Sequence, residues 1–223
     1  MMMKKLLIII LSLFLASSVI GCNKKTTTGH ISQDWKDLEF ELNGVVYKTP
    51  WSFDDFAANG WRITPDLNEN VNPGSISDNF YLMINDNHYY EKNNYYASID
   101  IKFENNSDEI KKMKDCDICW LVFRNLPPEL YDGVDLKDIA YDFKLAKGIG
   151  WGATEAEVIA AYGDVEDKFK AQRNEMKVLQ YYNLTEDNLL SVMHMVFYND
   201  SLYVVNLYRY YVEDGYEHYG VQK

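Results

Sequence analysis

Between residues 38 and 211 the chain alternates apolar and polar positions in short runs, and twice this period of two gives way to a helical one. The run LEFELNGVV at 38–46 alternates around Asn43-Gly44, a dipeptide that favours a tight hairpin turn because both positions tolerate positive φ. Strand-like runs follow at 79–84, 95–103 and 117–124, and again at 176–182, 189–198 and 202–211, with Asn199-Asp200-Ser201 as a second hairpin turn. The helical interruptions are alike. In PWSFDDFAANGW (50–61) Ser52 is a hydroxyl cap, Asp55 is the third helical residue, Phe53 and Phe56 form the apolar stripe and Gly60 closes. In TEAEVIAAYG (154–163) Thr154 and Glu157 have capping-box spacing, Val158, Ile159 and Tyr162 form the stripe, and Gly163 is expected as an αL terminator. Each short helix precedes a set of strands at close spacing, which predicts antiparallel meanders with a helix packed on one face. The expected fold is therefore α+β, two tandem units, each a short helical segment packed on an antiparallel β-meander. The units cover 38–125 and 145–223, and 126–144, with Pro127-Pro128 and Gly133, reads as the linker.

The N-terminus follows a different plan. Lys4 and Lys5 precede an apolar run over 6–16, the pattern of a signal peptide covering 1–21, too short for a comfortable membrane span. It ends in Val19-Ile20-Gly21-Cys22, which resembles the lipobox of bacterial lipoproteins, where the cysteine carries the lipid; the bland alternative is a secreted protein with a chance cysteine. Residues 22–37 begin polar and Thr-rich and read as a flexible tether. The expected location is the extracytoplasmic face of a cell membrane, held through Cys22.

Charge narrows the partners. The full chain carries −12, and loss of Lys4 and Lys5 with the leader leaves 20 basic against 34 acidic residues, or −14. Such a surface argues against nucleic acid, whose binding rests on Lys and Arg neutralising phosphates. Cys116 and Cys119 form a C-x-x-C pair, but CDICWLVF is strand-like, and residues three apart on a strand face opposite ways. Two buried structural cysteines are expected rather than a redox or zinc motif, since no histidine stands at ligand spacing.

Two strings carry a family resemblance. GIGWGATEAEV, from Gly148 to Val158 and ending in Tyr162-Gly163, resembles the G-x-T-x-x-E-V…G signature of β-lactamase inhibitory protein-like repeats and small outer-membrane assembly lipoproteins. Leu42-Asn43-Gly44, Tyr47, Pro50, Asp55-Phe56 and Gly60-Trp61 are similar to the first half of a widespread set of uncharacterised Firmicute lipoproteins. Val165 stands where that family often has proline. The resemblance implies tandem helix-plus-meander units and a non-catalytic, protein-binding role.

Candidate chemistry is sparse. Gly148-x-Gly150-x-x-Ala153 loosely matches a dinucleotide loop, but a two-turn helix leading into a meander is not a βαβ crossover, so these glycines are expected only to shape the loop. Asp66-x-Asn68-x-Asn70-x-Asn72 alternates oxygens as a calcium loop does, yet Val71 and Ser77 stand where an EF-hand needs Gly and Glu. His194 lies mid-strand, and no cofactor, metal or catalytic residue is expected. The remaining signal is tyrosine, 18 in 223 residues. With one sheet face under the helices, strand alternation leaves Tyr96, Asp100, Lys102, His194, Asn206, Tyr208 and Tyr210 on the other, a solvent-facing set suited to gripping an envelope protein. The alternative is a cell-wall glycan, carbohydrate or peptidoglycan, stacked on the tyrosine-rich hairpin around 89–96.

Overall fold

A computed structural model describes residues 29–63, 66–84, 99–125, 141–165, 168–170 and 176–212. The leader, Cys22, Tyr96, the aromatic hairpin around 89–96 and the linker over 126–140 lie outside the described residues.

The Asn43-Gly44 hairpin forms as read: β1 (Phe40–Leu42) pairs antiparallel with β2 (Val45–Tyr47), with φ of 50° and 79° at the two turn residues. Helix α1 (Phe53–Ala58) is capped by Ser52, whose hydroxyl accepts from Asp55 N, and buries Phe53 and Phe56. Then come β3 (Trp61–Ile63), β4 (Asn70–Val71), β5 (Phe80–Ile84), β6 (Ile99–Glu104), β7 (Lys111–Lys112) and β8 (Asp117–Arg124). After β9 (Phe143–Leu145), helix α2 (Glu155–Tyr162) carries the full reciprocal capping box between Thr154 and Glu157. The chain closes with β10 (Lys168–Lys170), β11 (Lys177–Leu184), β12 (Leu189–Tyr198) and β13 (Ser201–Tyr211). Gly163 ends α2 with φ 91° and ψ 167°, an extended positive-φ conformation rather than the αL expected. Only glycine enters that region readily.

The strand sets join into one eight-stranded sheet, order β10-β11-β12-β13-β8-β6-β5-β3, antiparallel throughout. This is an α+β arrangement, mostly antiparallel sheet with few helices. A smaller sheet, β2-β1-β9, lies over its inner face. Two boundaries differ from the sequence reading. Phe143, placed near the end of the linker, is buried in β9, which pairs with β1 because Tyr141, Phe143 and Leu145 are apolar and find the core. The end of the tether is also docked: Asp34 caps a 3-10 turn over Trp35–Asp37, and the Trp35 ring meets Tyr181 at 5.5 Å.

One apolar cluster fills the space between the layers. Phe123 and Phe40 are fully buried, and Phe143 nearly so; the Phe123 ring lies 4.8 Å from Phe40 and 4.4 Å from Phe143. Ile101, Phe103, Met195, Phe197, Val205 and Leu207 supply the inner face of the large sheet. Two β-bulges interrupt its regularity, one between Lys102 and Phe103 opposite β8, the other between Val196 and Phe197 opposite β13.

Candidate functional site

The outer face of the large sheet gathers most of the residues singled out by alternation. Gln180, His194, Asn206, Val122, Asp100 and Tyr81 are successive cross-strand partners in one transverse row. The adjacent row runs Tyr182, Val192, Tyr208, Trp120 and Lys102. Asp100, Lys102, His194, Asn206 and Tyr208 thus stand together, and Tyr210 follows beside Leu190.

This face is less open than expected. Asp100 is only 3% exposed, accepts from Asn79 Nδ2 at 3.2 Å and forms an ion pair with Arg124. Val122 and Val192 are also buried. Lys102, Trp120, Asn206, Tyr208 and Tyr210 are half-buried. The reason is crowding: large side chains in adjacent rows shield the smaller ones between them.

Within the second row, Lys102 Nζ lies 4.6 Å from the centroid of the Trp120 ring, a cation–π arrangement. The Trp120 and Tyr208 rings are 6.0 Å apart, and Tyr208 and His194 5.2 Å. His194 Nε2 and Trp120 Nε1 are both sealed from solvent without a hydrogen-bond partner. Burial pushes the His194 imidazole down to about 4, so it is neutral near pH 7. Nε2 itself is closed to any molecule docking on this face. At the end of β6, burial and then the facing Asp117 carboxylate push Glu104 up to about 7.

Trp120 and Arg124 were not singled out by the sequence reading. The strand 117–124 is apolar on both sides, and the bulge at Cys119 breaks the period of two: Ile118 and Leu121 face the core while Trp120, Val122 and Arg124 face out. The same device misplaces Leu202, grouped by alternation with Tyr208 but buried on the core side. Cys116 and Cys119 are free and buried, and burial raises both thiols, Cys119 to about 12. Neither is poised as a thiolate nucleophile.

The other sequence candidates resolve into local roles. Asp66 Oδ1 accepts from both the backbone and side-chain nitrogens of Asn68, and Asn70 Oδ1 accepts from Lys112, so these oxygens shape a turn. The glycine-rich segment before α2 borders a shallow groove of about 890 Å³, lined by Phe143, Trp151 and Ala160 among others. Three of its four charged side chains are engaged: Lys144 with Glu41 at 2.9 Å, Lys147 with the Ala161 carbonyl, Glu157 in the capping box. A Cβ at Gly150 would lie 2.7 Å from the Phe143 carbonyl oxygen, so glycine is required by close backbone approach.

Comparison of the chain with protein families, with curated proteins and with solved structures finds no match.

Proposed function

We propose that this is a lipid-anchored extracytoplasmic protein, held through Cys22, whose two tandem units bind an envelope protein without catalysing a reaction. The observation that carries the binding reading is the row Lys102–Trp120–Tyr208, a half-buried aromatic shelf with a cation over one ring. Tryptophan and tyrosine in such settings dominate protein interfaces because they bury large area at little entropic cost.

Internal duplication is supported by register. Val122 opposes Asn206 where β8 meets β13. Four residues before each lie Ile118 and Leu202, which oppose Phe103 and Phe197 directly after the two bulges. Ile118 N donates to the Trp51 carbonyl at 3.0 Å, and Leu202 N to the Ala153 carbonyl at 2.9 Å; Trp51 and Ala153 each immediately precede a helix cap. Glu41 and Lys144 pair where β1 meets β9. Bulges are heritable features of a fold, and their matching placement favours two copies of one unit facing each other across a pseudo-twofold.

The test is crosslinking and mass spectrometry on native membranes carrying the full-length protein. Truncating an aromatic anchor costs ~2 kcal/mol in binding, roughly a 30-fold loss of affinity. Tyr208→Ala is expected to lose the partner that the unaltered protein captures, with folding followed in parallel because Tyr208 touches Trp120 and His194. Undiminished capture of that partner by a folded variant refutes the assignment. In the same cells Cys22→Ala should abolish lipid attachment, and a variant still carrying labelled diacylglycerol refutes the anchor.

A further inference from the structure

The chain between Cys22 and the first described residue is short. Seven steps separate Cys22 from Gly29, and seven fully extended residues reach at most ~25 Å. From Gly29 onward the chain is tied to the layer built by the small sheet. Gly29 lies beside the Lys48 side chain, which follows β2. Ser32 N donates to Glu39 Oε2 at 2.8 Å, and Glu39 pairs with Lys48 at 2.9 Å. Trp35 then packs on Tyr181, an inward residue of the large sheet, and Leu38 is buried. Gly29 therefore lies on the β1-β2-β9 side, opposite the outer face that carries Lys102, Trp120 and Tyr208.

We propose that the anchor holds the β1-β2-β9 layer toward the bilayer and turns the Lys102–Trp120–Tyr208 row away from it, so that the row takes a protein presented from the aqueous side. This rests on the reading of Cys22 as the lipid attachment site. The argument is steric. Two packed layers with their outward side chains are roughly 20 Å thick. A tether of ~25 Å that had to pass around them to bring the outer face to the lipid would have almost no reach left. A partner embedded in the same membrane would meet the wrong side of the domain.

The test places one fluorophore on the full-length lipidated protein in vesicles containing headgroup-quencher lipid. Cys116 and Cys119 are buried with raised thiol pKa values and should stay unlabelled, and the Cys22 thiol is occupied by lipid. Lys144→Cys, exposed on β9 and outside the contacts that hold Gly29, reports the small-sheet side, and Tyr210→Cys the outer face, with Lys102→Cys as a second outward position should Tyr210→Cys not fold. The expected result is marked loss of emission from the label at 144 and none beyond the quencher-free control at 210 or 102. Equal or stronger quenching at the outward positions overturns the orientation while leaving the anchor intact. Failure of the unlabelled protein to join vesicles at all overturns the anchor reading and this inference with it.

Discussion

His194 and Glu104 sit on the outer sheet face with shifts of opposite consequence, and together they predict an unusual pH profile. The His194 imidazole falls from 6.5 to about 4 on folding because burial disfavours its charge. Between those values the unfolded chain binds the proton and the native one does not, so stability rises as pH rises from about 4 to 6.5. The full shift corresponds to roughly 3 kcal/mol, and ~2 kcal/mol after allowing for a ring that is not wholly enclosed. Glu104 moves from 4.5 to about 7, through burial and then the facing Asp117. Here the native state holds the proton longer, so stability falls as pH rises from 4.5 to about 7. Its half-buried carboxyl limits this to ~1–2 kcal/mol. The windows overlap between 4.5 and 6.5, and the two contributions nearly cancel in the unaltered protein. Single substitutions separate them. Urea unfolding of full-length protein at pH 4.5, 5.5 and 6.5 should show His194→Gln losing stability relative to the unaltered protein as pH rises. Glu104→Gln should gain it. Carboxylates distant from the two sites are common to the three proteins and drop out of the differences; the Glu104→Gln difference includes the coupling to the facing Asp117. If both differences are independent of pH, neither group is buried as described and the reasoning fails.

Three further outcomes follow from local geometry. Thr154→Ala removes the hydroxyl that accepts from Glu157 N and should cost ~1 kcal/mol, a fall in Tm of about 2–4 °C by calorimetry for a domain of this size; an unchanged Tm refutes the cap. Gly150→Ala drives a methyl against the Phe143 carbonyl and should destabilise by ~1–3 kcal/mol, where Gly29→Ala, with nothing nearer than 3.7 Å, should not; equal urea midpoints for the two would count against the close approach. Phe123→Ala empties the space between Phe40 and Phe143 and should cost ~3–5 kcal/mol, read from the urea midpoint; a loss below about 1 kcal/mol would remove Phe123 from the core.

Much of the secondary structure was legible from local rules. The Asn43-Gly44 turn, the Ser52 and Thr154 caps and the alternating runs each depend on residues within a few positions of one another, where steric and hydrogen-bonding preferences act directly. The α+β class followed from their order. The sequence also placed Asp100, Lys102, His194, Asn206 and Tyr208 on one sheet face, since β6 and β12 keep their period of two up to the bulges and β13 keeps it beyond its own. Other features needed the assembled fold. Nothing local says that β8 would pair with β13, or that Phe143 would leave the expected linker to join β1; those contacts link distant segments through shared burial of apolar surface. The bulges at Cys119 and Tyr203 shift the phase of β8 and β13 by one residue, which brings Trp120 out and Leu202 in. That shift depends on the partner strand's register, so it is decided only when the strands meet. The same meeting closes solvent from His194 Nε2 and buries Asp100 against Arg124: exposure belongs to the packed neighbours of a residue, and a strand taken alone has none.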